Sequence, residues 1–128
     1  MTTNTTALLI VEDEILIQQM LEDALTEAGF TVLLASNGTE AMTQLGDDAQ
    51  GFRGIITDIR IGDGPNGWDV AQLARELVHD MPIVYMSGDS GHEWTSKGVP
   101  NSVMIGKPFA VAQVITAVAT LLNEADSH

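Results

Sequence analysis

Four apolar runs in this chain stop on residues able to do chemistry. "ALLIV" (7–11) is followed by Glu12 and Asp13, "GIIT" (54–57) by Asp58, "PIVYM" (82–86) by Ser87, and "SVMIG" (102–106) by Lys107. Three carboxylates gathered at one place repel each other by about 1 kcal/mol per pair at about 4 Å in water, and by more where solvent is thinner. A divalent cation resolves that repulsion. Mg²⁺ suits the task because it takes oxygen ligands, keeps several waters and is held by one or two carboxylates plus a substrate phosphate. Ser87 and Lys107 add a hydroxyl donor and a fixed positive charge for phosphoryl oxygens. A carboxylate can itself be the nucleophile and form an aspartyl-phosphate, so the five groups together point to phosphoryl transfer. Taken singly, each has an ordinary explanation. An acid after a strand is commonly a helix N-cap, which is how Glu14 reads, and Ser87 or Lys107 alone is a turn residue or a surface lysine.

Whether the five meet depends on the elements that carry them. The four runs, with "TVLLA" at 31–35, read as strands of a buried parallel sheet, since they are short and rich in Ile, Val, Leu and Met. Helical patterns lie between them. The first spans 14–28, with Ile17, Leu21, Ala24 and Ala28 on one face and Gly29 at the C-terminal cap. Asn37 and Glu40 form a capping-box-like start for a helix at 38–46, and "PNGWDVAQLARELVHD" places Val70, Leu73 or Ala74, and Leu77 on an apolar face. "SGHEWTSK" is poor in helix formers and predicts a brief fourth helix. "AVAQVITAVATLLN" (110–123) closes the chain with two apolar faces: Val111, Val114, Val118 and Leu121 on one, and Ile115, Ala119 and Leu122 on the other. The second face is a candidate surface for a partner or a homodimer.

Strictly alternating strands and helices imply a doubly wound α/β fold, because parallel strands need right-handed crossovers that cover both faces. Ligands in such sheets sit at the carboxyl ends of the strands, which is where all five groups fall. Asp58 follows the middle strand of the five and is the favoured nucleophile.

Length and charge narrow the function. The 128 residues suffice for one domain with a proper core, read here as spanning 1–128 with its core at about 6–123. Eighteen acids against five Lys and Arg, a formal charge of −13, repel phosphate backbones and anionic lipid, so the expectation is no nucleic-acid and no membrane partner. "MTTNTT" has neither the basic start nor the apolar stretch of a signal peptide, and cysteine is absent, which leads to the expectation of a cytoplasmic protein. His79, His92 and His128 read as surface residues, since none follows a strand. Trp68 reads as packing at the start of the third helix. Trp94, on a polar segment, reads either as a lid over apolar neighbours or as a partner anchor.

Over residues 6–123 the chain resembles the receiver domain of two-component response regulators. The resemblance rests on "VEDE" after the first strand, Asp58 after the third, "SG" after the fourth, "KPF" at 107–109 after the fifth, and Gly67 beyond the Asp58 loop. It implies a flavodoxin-like sheet of order 2-1-3-4-5, with Asp58 taking a phosphoryl group from a histidine kinase or histidine phosphotransfer protein and a downstream protein partner reading the result. It also implies Asp13 as a direct Mg²⁺ ligand, Glu12 acting through water, and the Arg60 backbone carbonyl as a further ligand. Ser87 and Lys107 would bind the phosphoryl oxygens, Gly88 would leave them room, and the Lys107–Pro108 bond would be cis. Such a protein catalyses only its own phosphoryl transfer and dephosphorylation.

Several positions depart from the family pattern. Met104 stands where receivers usually carry an aromatic switch residue, so the Ser–aromatic coupling lacks its second member. The loop "DIRIGDGPNGWD" is slightly long and lacks the usual Met-Pro. Arg60, two residues after the acceptor, and Asp89, two after Ser87, are placed by the resemblance beside the path by which water attacks an aspartyl-phosphate. A phosphorylation-independent pseudo-receiver is the alternative, and its mark would be a missing acid or lysine; none is missing. An enzyme or flavin carrier on the same fold is disfavoured by the absence of "GxxxxGK[ST]" and "GxGxxG". The initial Met and the polar ending "EADSH" lead to the expectation of a stand-alone regulator.

Overall fold

The computed structural model describes residues 7–126; His128 and the "MTTNTT" segment lie outside them. Five strands alternate with five helices: β1 (Ala7–Val11), α1 (Ile15–Glu27), β2 (Val32–Ala35), α2 (Gly38–Asp48), β3 (Phe52–Asp58), α3 (Gly67–Leu77), β4 (Ile83–Ser87), α4 (Trp94–Lys97), β5 (Val103–Gly106) and α5 (Val111–Asp126). The strands form one sheet of order β2-β1-β3-β4-β5, and every neighbouring pair is parallel. This is the flavodoxin-like, doubly wound architecture expected.

The period of two along each strand explains the two cores. Leu8 and Ile10 of β1, Ile56 of β3, and Val84 and Met86 of β4 point to one face, where they meet Leu21 and Leu25 of α1 and Val114, Val118 and Leu121 of α5. Leu9 and Val11, Ile55, and Ile83 and Tyr85 point to the other, against Ala41 and Leu45 of α2 and Trp68, Val70, Ala71 and Ala74 of α3. A parallel strand covered on both sides has no polar face to show, which is why β1 is apolar at all five positions. Among the strands, only the edge strand β2 turns a large apolar side chain, Leu33, to solvent.

Local signals set several helix ends. Gly29 takes φ +100°, the left-handed conformation that closes α1 and that a side chain would strain. Asn66 and Asp69 cap α3 reciprocally, each side chain accepting the other's backbone N–H at 3.0 Å. Asn37 caps α2 by accepting from Glu40 N–H, but the Glu40 carboxylate reaches one residue further back, to Ser36 N–H. α4 is a single turn behind the 3₁₀ turn Gly91–Glu93, as its composition predicts.

Four details of the helices differ from expectation. The buried stripe of α1 is Gln18, Leu21 and Leu25, with Ile17 only half-buried and Ala28 exposed. The stripe is rotated because it admits a polar residue: Gln18 Nε2 donates to Glu12 O at 2.7 Å and to Ser36 Oγ at 3.3 Å, so its burial leaves both amide protons partnered. In α3, Leu77 is 42% exposed, since the core face narrows to Val70, Ala71 and Ala74. The proposed second face of α5 is largely interior. Leu122 is buried and Ile115 packs on the same core beside α1, so these residues offer no free apolar surface, and Ala119 alone of the three is exposed. Glu14 occupies the N-cap of α1, but its side chain caps nothing.

Candidate functional site

The carboxyl ends of β1, β3, β4 and β5 bring their terminal residues to one mouth. Glu12 is fully buried directly after β1, and its backbone N–H still donates to Ala35 O, extending the β1–β2 pairing by one residue at 3.1 Å. That pairing turns the Glu12 side chain inward while Asp13 faces solvent. Asp58 ends β3, buried, with Oδ1 accepting Ile59 N–H at 2.8 Å. Carboxylate oxygens of Glu12, Asp13 and Asp58 all lie within 4.8 Å of one another.

Lys107 sits between two of these acids. Its ammonium donates to Asp58 Oδ2 at 2.8 Å and to Glu12 Oε1 at 3.0 Å. The backbone holds it there: Lys107 N–H donates to Ser87 O at 2.8 Å, and the Lys107–Pro108 peptide is cis, as the resemblance implies. Two buried carboxylates thus share one ammonium, and the protonation of both is perturbed. Burial pushes the Asp58 carboxyl above its ordinary range, Lys107 pulls it part of the way back, and Asp13 adds repulsion. Glu12 is raised as well, by burial first, against the opposing Glu14 N–H and Lys107 bonds. Burial disfavours the charge on Lys107, but the bonds to Asp58 and Glu12 outweigh it and its pKa rises.

Oxygen donors alone, close together and short of positive charge, fit a hard divalent cation such as Mg²⁺. A cluster of this kind is the only one among the described residues.

Ser87 is at the mouth but otherwise engaged. Its Oγ accepts the N–H of Ser90 at 2.6 Å and of Asp89 at 3.2 Å, closing the turn after β4. A Cβ built on Gly88 would meet nothing within 4 Å, so there is open space beside this turn. Arg60 and Asp89 do pair across the mouth, Nε to Oδ1 at 3.3 Å, with side chains 74% and 63% exposed. Gly67 begins α3 against the end of β3: its N–H donates to Ile59 O at 2.8 Å, and a Cβ there would overlap the Asp58 carbonyl oxygen. Only glycine allows that approach.

Met104 is half-buried on β5 among residues of the α2–α3 core. Trp68 is buried and tilts against Tyr85 at 4.8 Å between ring centroids, as a packing residue should. Trp94 is exposed on α4, its indole N–H donating to Ser102 Oγ at 2.9 Å. His79 and His92 are exposed.

Two supporting residues escape a reading of strand ends. Gln18 fixes the Glu12 backbone, and the signal for it was a polar side chain on a helix stripe otherwise apolar. Buried Ser90, whose N–H holds Ser87 and whose hydroxyl donates to Asp89 Oδ1 at 3.2 Å, carries no such signal.

A family model for the response regulator receiver domain matches residues 8–119. The chain is similar to the crystal structure of a response regulator receiver protein from Sinorhizobium medicae, with 45% identity, a TM-score of 0.89, and 93% and 95% of the two chains covered. It is 39% identical to the transcriptional regulatory protein CusR of Escherichia coli K12 over 91% of this chain and 51% of CusR. It is 25% identical to the response regulator TrrA of Thermotoga maritima, solved in complex with Mg²⁺ and BeF, with a TM-score of 0.79 and 91% and 98% of the chains covered. The chain spans about half the length of the curated relatives it matches most strongly. No helix among the described residues is long and apolar enough to cross a membrane.

Proposed function

The chain belongs to the response regulator receiver domain family, and on that premise we propose that it is a phosphorylatable switch of a two-component system with Asp58 as the acceptor. The observation that supports this reading most directly is the Lys107 ammonium bridging Asp58 Oδ2 and Glu12 Oε1 beside Asp13. Such a bridge holds a buried carboxylate ionised, as a nucleophile must be, while burial raises its basicity.

The donor is the phosphohistidine of a histidine kinase or histidine phosphotransfer protein. An Asp58 carboxylate oxygen attacks phosphorus in line, the P–N bond to the donor imidazole breaks, and that nitrogen keeps the electron pair. Ile59 N–H holds Oδ1 and so fixes the carboxylate plane during attack. Lys107 exchanges its bond to Asp58 for one to a phosphoryl oxygen, and Ser87 donates its hydroxyl to another. Asp13, Asp58 and the Arg60 carbonyl would hold Mg²⁺, with Glu12 acting through water. When bound, the ion supplies positive charge for the carboxylates and the transferring group. The protein promotes only its own modification and its reversal. A protein partner reads the result.

Intact-mass analysis after incubation with acetyl phosphate and Mg²⁺ tests the proposal. Native protein gains one phosphoryl group and Asp58→Ala gains none. Modification of Asp58→Ala, or a native protein left unmodified by both acetyl phosphate and a phosphorylated kinase, overturns it.

A further inference from the structure

Helices α2 and α3 cover the same face of the sheet, and a hollow of about 300 Å³ opens on their outer side. It is lined by Met42 of α2, Pro65 of the loop before α3, and Asp69, Gln72, Leu73 and Glu76 of α3. One end is walled by a close backbone approach: a Cβ on Gly38, the first residue of α2, would overlap the Pro65 carbonyl oxygen, so the loop lies directly against α2 there. Met42 and Leu73 form the apolar floor and are only half-buried. Leu77, one turn beyond Leu73 on α3, is 42% exposed and prolongs that floor toward the end of the helix. An apolar strip open to solvent thus runs along α3.

The charge along the strip is of one sign. Asp69 and Glu76 are seven residues apart on α3, which sets them on the same side of the helix about 10 Å apart along its axis. Both are exposed, and neither pairs with a Lys or Arg among the described residues. The matching occupant is a helix with an apolar residue between two cations, at i, i+3 and i+7, laid along the groove. A second copy of this chain has no such helix to offer. Among the described residues no helix carries more than one Lys or Arg, and Arg75 of α3 already donates to the carbonyl oxygens of Met81 and Pro100. A phosphate backbone or an anionic lipid would meet two carboxylates and be repelled. What remains is a basic helix from a different protein.

We propose that the α2–α3 groove is a docking site for a basic amphipathic helix of a partner protein, with one apolar side chain seated over Met42 and Leu73 and a Lys or Arg at each end against Asp69 and Glu76. The apolar anchor supplies most of the affinity, while the two carboxylates on the rim set the orientation and the rate of encounter. Methionine suits the floor because its unbranched side chain adapts to whichever apolar residue enters. The site lies on α2 and α3 and does not rest on Asp58 as the acceptor.

The test uses the full chain and a fluorescein-labelled, alanine-based helical peptide of about twenty residues with Arg, Leu and Arg at i, i+3 and i+7, followed by fluorescence anisotropy. Native protein binds it, and replacing the peptide's Leu by Ala weakens binding about ten-fold. Glu76→Lys, a change at an exposed position that leaves the fold intact, also weakens binding about ten-fold, since an attraction becomes a repulsion. One of the two peptides in which a single Arg becomes Glu then binds Glu76→Lys better than it binds native protein. Asp23→Lys makes the same charge change at an exposed site of α1, across the sheet, and stays within about two-fold of native protein. Equal weakening by Asp23→Lys and Glu76→Lys, or no preference for a charge-swapped peptide, reduces the binding to general attraction by an acidic protein and overturns the site. No binding at millimolar peptide overturns it too, as does a dimer in sedimentation that Glu76→Lys disrupts, which would make a second copy the occupant. The titrations contain neither Mg²⁺ nor a phosphoryl donor, so this proposal and the reading of Asp58 fail separately.

Discussion

Asp13 is the exposed member of the acidic cluster and the proposed direct ligand of Mg²⁺, and Asp13→Asn tests both its repulsion of the other acids and that role. Its carboxylate lies within 4.8 Å of those of Glu12 and Asp58, while the Lys107 ammonium is shared by the other two. At about that separation each like-charge pair costs about 1 kcal/mol in a water-like medium, and more in a drier one. Asp13 is exposed, so the water-like value applies and salt reduces it further. Removing two such repulsions stabilises the metal-free protein by about 1–2 kcal/mol, which raises the unfolding midpoint by about 3–8 °C for a chain of this size. Mg²⁺ has the opposite effect on the comparison. Bound at about ten times its dissociation constant, an ion adds about 1.4 kcal/mol to native protein. Asp13→Asn, lacking a proposed direct ligand, gains much less. Thermal unfolding followed by circular dichroism, in chelator and in MgCl₂ at matched ionic strength, gives all four midpoints. A lower midpoint for Asp13→Asn in chelator, or an equal Mg²⁺ increment in both proteins, would refute the reasoning.

The Arg60–Asp89 pair, largely exposed, contributes about 0–1 kcal/mol to stability, so Arg60→Ala and Asp89→Ala leave the midpoint nearly unchanged. Each speeds loss of the phosphoryl group by opening the path of attacking water; decay after donor removal no faster than native would show that they are no gate. Lys107→Ala leaves two buried carboxylates uncompensated, a change that costs about 3–5 kcal/mol when a buried pair is broken. Because the folded Asp58 and Glu12 pKa values already lie above their ordinary ones, the folded state holds protons that the unfolded state has released. Stability therefore falls as pH rises from about 4 through the folded pKa values, more steeply in Lys107→Ala; denaturant titrations at several pH values with parallel slopes for both proteins would contradict this. Gln18→Leu strands the Glu12 carbonyl and costs about 1–3 kcal/mol despite being apolar for polar at a buried site. A midpoint denaturant concentration unchanged or raised would show that water replaces the amide.

The strands and the site were legible for the same reason. A parallel strand buried on both faces has to be apolar at nearly every position, so "ALLIV" announces itself without reference to any neighbour, and the first polar residue beyond it is at the edge of the sheet by construction. Glu12, Asp13, Asp58, Ser87 and Lys107 were found as strand-end residues, and the order of the sheet does the rest. Helix faces follow a different logic. Ile15, Leu16 and Met20 make α1 apolar on its exposed side, Leu16 being 81% exposed, while its buried side includes Gln18. Periodicity alone therefore chooses between two stripes without knowing that the Glu12 carbonyl and the Ser36 hydroxyl wait beneath one of them. In α5 the face made by Ile115 and Leu122 looks free only until α1 is laid beside it, a contact between residues a hundred positions apart.

Ser87 marks the deeper limit, because its type and place were both legible and its state was not. The sequence puts a hydroxyl at the end of β4; which partners that hydroxyl holds depends on how the next three residues turn. Here it is closed on Ser90 and Asp89, whose N–H groups lie in the turn that leads into the 3₁₀ turn Gly91–Glu93. The same hydroxyl still has its proton to give, so it can hold both N–H groups and offer that proton toward the mouth at once.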